Sequence, residues 1–229
     1  PGTAGAAPVQ NIGAYGVELC DCLESVTALD RNTGELVVLE NAECRFAYRD
    51  SLFKQTPGRY VIIEVRLALS RSRPLVLGDR DLQEYLGDTK ESALDPLHVA
   101  EAVMAIRRRK LPDPDIIPNA GSFFKNPVVD TATFESLRER DPDIVAYPQE
   151  HGVKLAAAWL IDQCGWKGFR NARGGVPNRQ ALVLINHSGG TGADILELAE
   201  TIRQSVGERF GVTLEMEPGI VGGTEKHNR

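Results

Sequence analysis

The end of the chain carries the pattern that most restricts its fold. A short apolar run, Gln180–Asn186, is followed by a long amphipathic segment from Thr191 to Phe210 and then by a second apolar run, Val212–Met216. Thr191 with Asp194 three residues on is a capping box: the hydroxyl accepts from one backbone N–H and the carboxylate reaches back to another. Behind that cap Ile195, Leu198, Ala199, Ile202, Val206 and Phe210 recur on one helical face. A capped amphipathic helix between two strand-like runs needs a sheet to cover, which points away from an all-helical or all-β chain.

The same alternation continues upstream. Val17 to Leu29 reads as a strand, Arg31-Asn32-Thr33-Gly34 as a turn, and Glu35 to Leu39 as the returning strand of a hairpin. Asn41 to Lys54 reads as a short helix or irregular turn, and Tyr60 to Leu69 as a buried strand. Ser70 to Asp95, rich in charge, proline and glycine, reads as a link between two domains. Asp95-Pro96 then opens a helix through about Arg109, with Leu97, Ala100, Val103, Met104 and Ile106 inward. Leu111-Pro112-Asp113-Pro114 stops it. Thr131 or Thr133 caps a helix through Arg138. Val153 to Cys164 is a further helix, with Leu155, Ala158, Trp159 and Ile161 inward. No internal repeat is present. The expected class is α+β.

Composition narrows function by exclusion. The 229 residues carry a net charge of −6, which argues against nucleic-acid binding, so an anionic ligand requires a local basic site. No apolar window reaches membrane length and no charged-then-apolar leader is present, so no membrane association is expected. Cys20, Cys22, Cys44 and Cys164 lack paired zinc spacing, and no metal site is expected; Cys20-Asp21-Cys22 puts two thiols on one strand face as packing groups. Scattered cysteines fit a reducing cytoplasm. The first residues, Pro1-Gly2-Thr3-Ala4-Gly5-Ala6-Ala7-Pro8, read as the interior of a loop, and the expectation is of a chain trimmed at its N-terminus.

Candidate chemistry concentrates in a few places. Gly121-Ser122-Phe123-Phe124-Lys125-Asn126-Pro127 sets a hydroxyl, an ammonium and an amide in one loop, shortly after the basic run Arg107-Arg108-Arg109-Lys110. Ser122 lacks a Gly-x-Ser-x-Gly elbow, so it is no hydrolase nucleophile, and a serine before two phenylalanines is ordinarily a turn or cap residue. Arg49, in Tyr48-Arg49-Asp50-Ser51-Leu52-Phe53-Lys54, is suited to bidentate carboxylate binding or to a structural pair with Asp50 or Glu43. Glu217, in Leu214-Glu215-Met216-Glu217-Pro218, is an acid at a strand end. Lys110 and Arg107 are cations at a helix C-terminus, a favourable place for them in any protein. The small residues of 1–16, ending Asn11-Ile12-Gly13-Ala14-Tyr15-Gly16, let a backbone approach a pyrophosphate or form a flexible tail.

Taken in order, these segments resemble the UDP-N-acetylenolpyruvoylglucosamine reductase family over essentially the whole chain. The resemblance implies the C-terminal part of a vanillyl-alcohol-oxidase-type FAD-binding domain (1–94), an inserted mixed α/β substrate-binding domain (95–211), and a C-terminal segment returning to the active site (212–229). It implies FAD as cofactor, NADPH as co-substrate, a UDP-sugar substrate, a cytoplasmic role in peptidoglycan precursor synthesis, and a monomer. Carried over onto this sequence, Arg49, Ser122 and Glu217 are catalytic, Ser122 being the acid that protonates the carbon beside the substrate carboxylate. Arg107, Lys110, Asn126, Tyr147, Lys154 and Gln180 bind substrate. Gly2, Thr3, Gly5, Ala6, Gln10, Asn11, Gly13, Ala14, Tyr15 and Gly16 line the cofactor. Three departures accompany the likeness. The family's N-terminal flavin half is absent; Asp79 or Arg80, with Tyr85 further on, stands where a related subtype has a lid tyrosine; and Gly219 replaces a basic residue after the glutamate. They leave a second expectation open, a UDP-sugar-binding module without catalysis.

Overall fold

The computed structural model describes residues 3–187 and 189–222. The chain divides into two compact units, Pro1–Arg107 and Arg108–Arg229, with the division falling inside a helix. Helices and antiparallel sheets are mixed in both, as the α+β expectation requires.

The first unit opens with a 3-10 segment, Ala4–Gln10, and a tiny hairpin of β1 (Gly13–Ala14) and β2 (Val17–Glu18). Tyr15 and Gly16 turn that hairpin with φ of 55° and 83°. Gly13 is fixed by space: a Cβ there would lie 2.8 Å from Glu18 Cγ and 2.9 Å from the Val17 carbonyl oxygen. β3 (Leu23–Asp30) then pairs with β4 (Glu35–Glu40) and β5 (Tyr60–Leu67) in the order β4-β3-β5. The expected strand from Val17 is therefore two strands separated by a 3-10 turn at Leu19–Asp21. Cys20 and Cys22 belong to that turn and its end, not to one strand face.

Among the described residues, only one side of this sheet is covered. Val26 and Ala28 pack with Leu19, Leu23, Cys44 and Phe53, joined by Val37, Leu39, Ile62 and Val65. On the other side Leu36 is 65% exposed, Val38 58% and Ile63 60%, so β5 is not the fully buried strand that its apolar composition suggested. Between β4 and β5 lies a one-turn helix, α1 (Leu52–Gln55), capped by Ser51.

Residues 70–95 are more than a link. They contain α2 (Arg80–Leu86), capped by Asp79, whose Leu82 packs with Ala102 and Ile106 of α3 (Pro96–Lys110). The inward face of α3 is Val99, Ala102, Val103 and Ile106; Leu97, Ala100 and Met104, expected inward, are exposed. Residues 95–107 thus pack with the first unit.

The second unit is built on β6 (Asn119–Ser122), β7 (Val128–Val129), α4 (Thr131–Arg140), β8 (Ala146–Pro148), β9 (Val153–Leu155), α5 (Ala157–Gln163), β10 (Gly174–Gly175), β11 (Val183–Asn186) and α6 (Gly192–Phe210). They form sheets ordered β10-β11-β6 and β7-β9-β8. The cap of α4 is Asp130, which accepts from the Thr133 amide at 2.7 Å; it lies one residue before Thr131 and three before Thr133, the two threonines expected to cap. Val153–Leu155 is a strand, because β7 and β8 flank it on both edges; the helix begins only at Ala157. The capping box at Thr191 and Asp194 is formed, and Leu198, Ala199, Ile202, Val206 and Phe210 are buried in one core with Leu155, Leu160, Ile161 and Leu184. Gly211, at φ 68°, ends α6.

Candidate functional site

In the first unit the candidate residues meet around the β1–β2 hairpin. Ala47 and Asp50 close a tight turn by two backbone bonds of 3.1 Å, which puts Arg49 in the left-handed region at φ 55°. Lys54 Nζ donates to the Arg49 carbonyl at 3.0 Å and holds this turn. The Arg49 guanidinium donates to the Gly13 carbonyl at 2.6 Å, lies 3.9 Å from Glu18 Oε1, and covers the Tyr48 ring. The acids expected beside it are engaged elsewhere. Asp50 accepts from the Ser51 amide and from Gln55, and Glu43 accepts from the Glu40 amide. Glu18, which the sequence did not single out, is the acid facing Arg49; alternation within β2 gave no signal of a partner thirty residues away.

Asn11 is 1% exposed and its carboxamide is fully used inside the chain. It donates to Glu18 Oε2 at 2.8 Å and to the Ala47 carbonyl at 3.3 Å, and accepts from the Cys20 amide at 3.0 Å. Asn11 therefore ties the loop, the hairpin and the Arg49 turn together. Above it Thr3, Ala6, Ala14 and Gly16 are exposed, while Gly5, Gln10, Gly13 and Tyr15 are half-buried. Burial raises the Tyr15 phenol pKa, partly offset by the Arg107 charge. Gly2 lies outside the described residues. Asp79 spends its carboxylate capping α2, accepting from the Asp81 and Leu82 amides.

The second unit brings several candidates together along one strand. Ser122, half-buried at the end of β6, is in register with Val183 of β11, and the next amide, Phe123, donates to the Leu182 carbonyl at 2.7 Å. Gln180 lies in the turn entering β11, its Oε1 accepting from the Leu182 amide. On the opposite edge the extended segment from Val212 forms an antiparallel bridge, Phe124 to Met216. The Glu217 amide donates to the Phe123 carbonyl at 2.9 Å, and the Lys125 amide donates to the Glu215 carbonyl at 2.9 Å. Ser122, at the end of β6, and Glu217, on the bridged segment, thus lie one residue out of step across this pairing. The expected closing strand at 212–216 exists only as this single bridge.

Farther along, Asn126 Oδ1 accepts from the Ala157 amide at 2.9 Å and so caps α5, whose own N-cap, Ala156, has no side chain able to do so. Lys154 on β9 stands opposite Tyr147 on β8, and directly opposed residues of an antiparallel pair share a face. Tyr147 is 47% exposed, leaving its ring accessible. Gly152 makes the turn into β9 at φ 93°, where a Cβ would fall 2.4 Å from the Val129 carbonyl oxygen. Lys110 ends α3 in this unit, beside Arg109, whose carbonyl accepts from Arg179 at 3.4 Å; Arg107 belongs to the first unit. Arg49 also belongs to the first unit, and Ser122 and Glu217 to the second. Among the described residues no three His, Cys, Asp or Glu side chains are grouped to hold a metal ion, and no helix is long and apolar enough to cross a membrane.

Residues 112–221 match the family model described as UDP-N-acetylenolpyruvoylglucosamine reductase, C-terminal domain. A protein of that name from Pseudomonas aeruginosa is 54% identical over 221 residues, 96% of this chain and 65% of its own length. One from Bordetella pertussis is 55% identical over 223 residues, 96% of this chain and 63% of its own length. The crystal structure of UDP-N-acetylenolpyruvylglucosamine reductase from Thermus caldophilus superposes with a TM-score of 0.57 at 25% identity, covering 93% of this chain and 58% of that one. The chain therefore spans about two thirds of the length of the curated relatives it matches, 65% for the Pseudomonas protein. With the strand that carries Ser122, the bridge that carries Glu217 and nearly its whole length matched in this way, the chain is similar to UDP-N-acetylenolpyruvoylglucosamine reductases, and its residues 112–221 to their C-terminal domain.

Proposed function

We propose that the chain serves the flavin-dependent reduction of UDP-N-acetylenolpyruvoylglucosamine to UDP-N-acetylmuramate, with NADPH as reductant, in cytoplasmic peptidoglycan precursor synthesis. In this reading residues 1–94 are the C-terminal part of a vanillyl-alcohol-oxidase-type flavin domain, 95–211 bind substrate, and 212–229 are the segment that completes the reacting centre, of which 223–229 lie outside the described residues. The observation that carries it is the bridge that holds Glu217 against Phe123, next in sequence to the half-buried Ser122.

Arg49 takes the substrate carboxylate, its guanidinium already oriented by Gly13 and Glu18. Ser122 delivers a proton to the carbon beside that carboxylate. An alkyl hydroxyl is a poor acid and needs a neighbouring group to relay or stabilise charge, the part assigned to Glu217. Arg107 and Lys110 take the diphosphate. Tyr147 stacks on the base, and Lys154, Gln180 and the free amide nitrogen of Asn126 supply directional hydrogen bonds. The residues at 3–16 fit a flavin nucleotide: Thr3, Ala6, Ala14 and Gly16 are small and exposed, so a diphosphate can come close to the main chain. Asn11 would shape that loop from beneath, since its amide is already satisfied. These residues would hold FAD, and the chemistry supplied there would be hydride transfer with NADPH as reductant.

A second reading, a UDP-sugar-binding module without reduction, draws on Asp79, which caps α2 where a related subtype carries a lid tyrosine. One set of measurements separates the two. Reduction predicts flavin absorbance in the purified chain and a loss beyond ~10²-fold in turnover for Ser122→Ala with UDP-sugar binding kept. Unchanged turnover in Ser122→Ala removes its role as acid. UDP-sugar binding with neither flavin nor turnover supports the second reading.

A further inference from the structure

The segment Val212-Thr213-Leu214-Glu215-Met216-Glu217 repeats an apolar residue and a polar one with a period of two. Val212 and Leu214 are buried in the second unit's core, and Met216 packs against it. Burial therefore forbids a slip of one residue, which would turn the apolar set outward. A slip of two keeps the apolar residues on the core side. It would, however, bring Glu217 opposite Lys125 in place of Glu215. The apolar pattern alone cannot choose between these alignments.

We infer that the ion pair between Lys125 and Glu215 chooses the register and so sets where Glu217 stands relative to Ser122. The Lys125 ammonium is bonded to Glu215 Oε1, and the Lys125 amide donates to the Glu215 carbonyl at 2.9 Å. The Lys125 side chain is only 13% exposed, so its cation has strong need of a partner, while Glu215 is 68% exposed and has no place in the core. With Glu215 on Lys125, the Glu217 amide falls on the Phe123 carbonyl at 2.9 Å, beside Ser122. Without Glu215, the other acid of the same strand face is the natural replacement. Lys125 and Glu215 are positioning residues; neither is assigned contact with substrate. The importance of Glu217 rests on the reductase reading, but the register does not.

The test is made on the whole chain by nuclear magnetic resonance, without substrate or cofactor. Glu215→Gln is expected to raise amide exchange at Lys125 and Glu217 about three- to fivefold, the scale of a partly exposed ion pair. It is also expected to produce cross-strand contacts between Lys125 and Glu217 beside those between Phe124 and Met216. Adding Glu217→Gln should remove the second set of contacts while exchange stays fast. The reversed pair, Lys125→Glu with Glu215→Lys, should restore both exchange and the single register. If Glu215→Gln folds poorly, Lys125→Met asks the same question by exchange at the Glu217 amide. A Glu215→Gln chain with unchanged exchange and only the Phe124–Met216 contacts overturns the inference, as does failure of the reversed pair to restore them. Neither outcome bears on Ser122 as an acid, which turnover alone decides.

Discussion

The two units solve the same packing problem differently. The second has one continuous core, in which Phe123 and Phe124, adjacent in sequence just past the end of β6, are both buried. The first has two small cores, one under a single face of the β4-β3-β5 sheet and one between α2 and α3. Its precision comes instead from polar side chains: Asn11 reaching Glu18, Cys20 and Ala47, Ser51 donating to the Val9 carbonyl at 2.6 Å, and Arg59 bonded to the buried Asp30. A loop presenting small residues outward cannot be fixed by apolar packing beneath it, so buried hydrogen bonds do that work. A strand such as β6, which ends at Ser122 and runs on into Phe123 and Phe124, can be fixed by apolar packing.

Three measurements press on that contrast. Phe124→Ala should cost about 3–5 kcal/mol in urea unfolding, and should lower only the transition of the second unit if the cores are independent. A uniform shift of all probes would merge the two units into one cooperative block. Asn11→Ala should cost about 1–3 kcal/mol, because it strands Glu18 and the Cys20 amide, and should loosen the Arg49 turn. No change would mean that the loop is held otherwise. The smallest effect concerns pH. The Thr191 hydroxyl and amide, and then Arg173, hold the Asp194 carboxyl below its ordinary value. A carboxyl depressed on folding stabilises above its unfolded pKa and loses that contribution as pH falls through its folded one. Asp194→Asn should therefore lower the melting temperature near neutrality, and the gap should close in acid below the usual carboxylate range. A gap constant down to that pH would assign the effect to packing.

What was legible in the sequence was local. The α6 capping box and its apolar stripe, the β3–β4 hairpin and the start of α3 at Asp95-Pro96 all rest on residues a few positions apart, and each is present. What was not legible depends on distant neighbours. Val153–Leu155 has an apolar pattern that continues into α5, and only pairing with β7 and β8 makes it a strand. Val61 and Ile63 look like core residues until the sheet shows which face is covered. In the site, the type of residue could be read but its partner could not. Arg49 was visible and Glu18 was not; Lys125 was visible and its bond to Glu215 was not; Asn126 was expected at a ligand and also caps α5. The alternation Glu215-Met216-Glu217 was the one available hint that two acids share a strand face.

The side of the β4-β3-β5 sheet that no described residue covers has a practical consequence. Leu36, Val38, Val61 and Ile63 give the folded chain a greasy patch on otherwise charged ground. Such a molecule will be retained on phenyl resin and will brighten environment-sensitive dyes while fully native, so neither behaviour should be taken as a sign of misfolding.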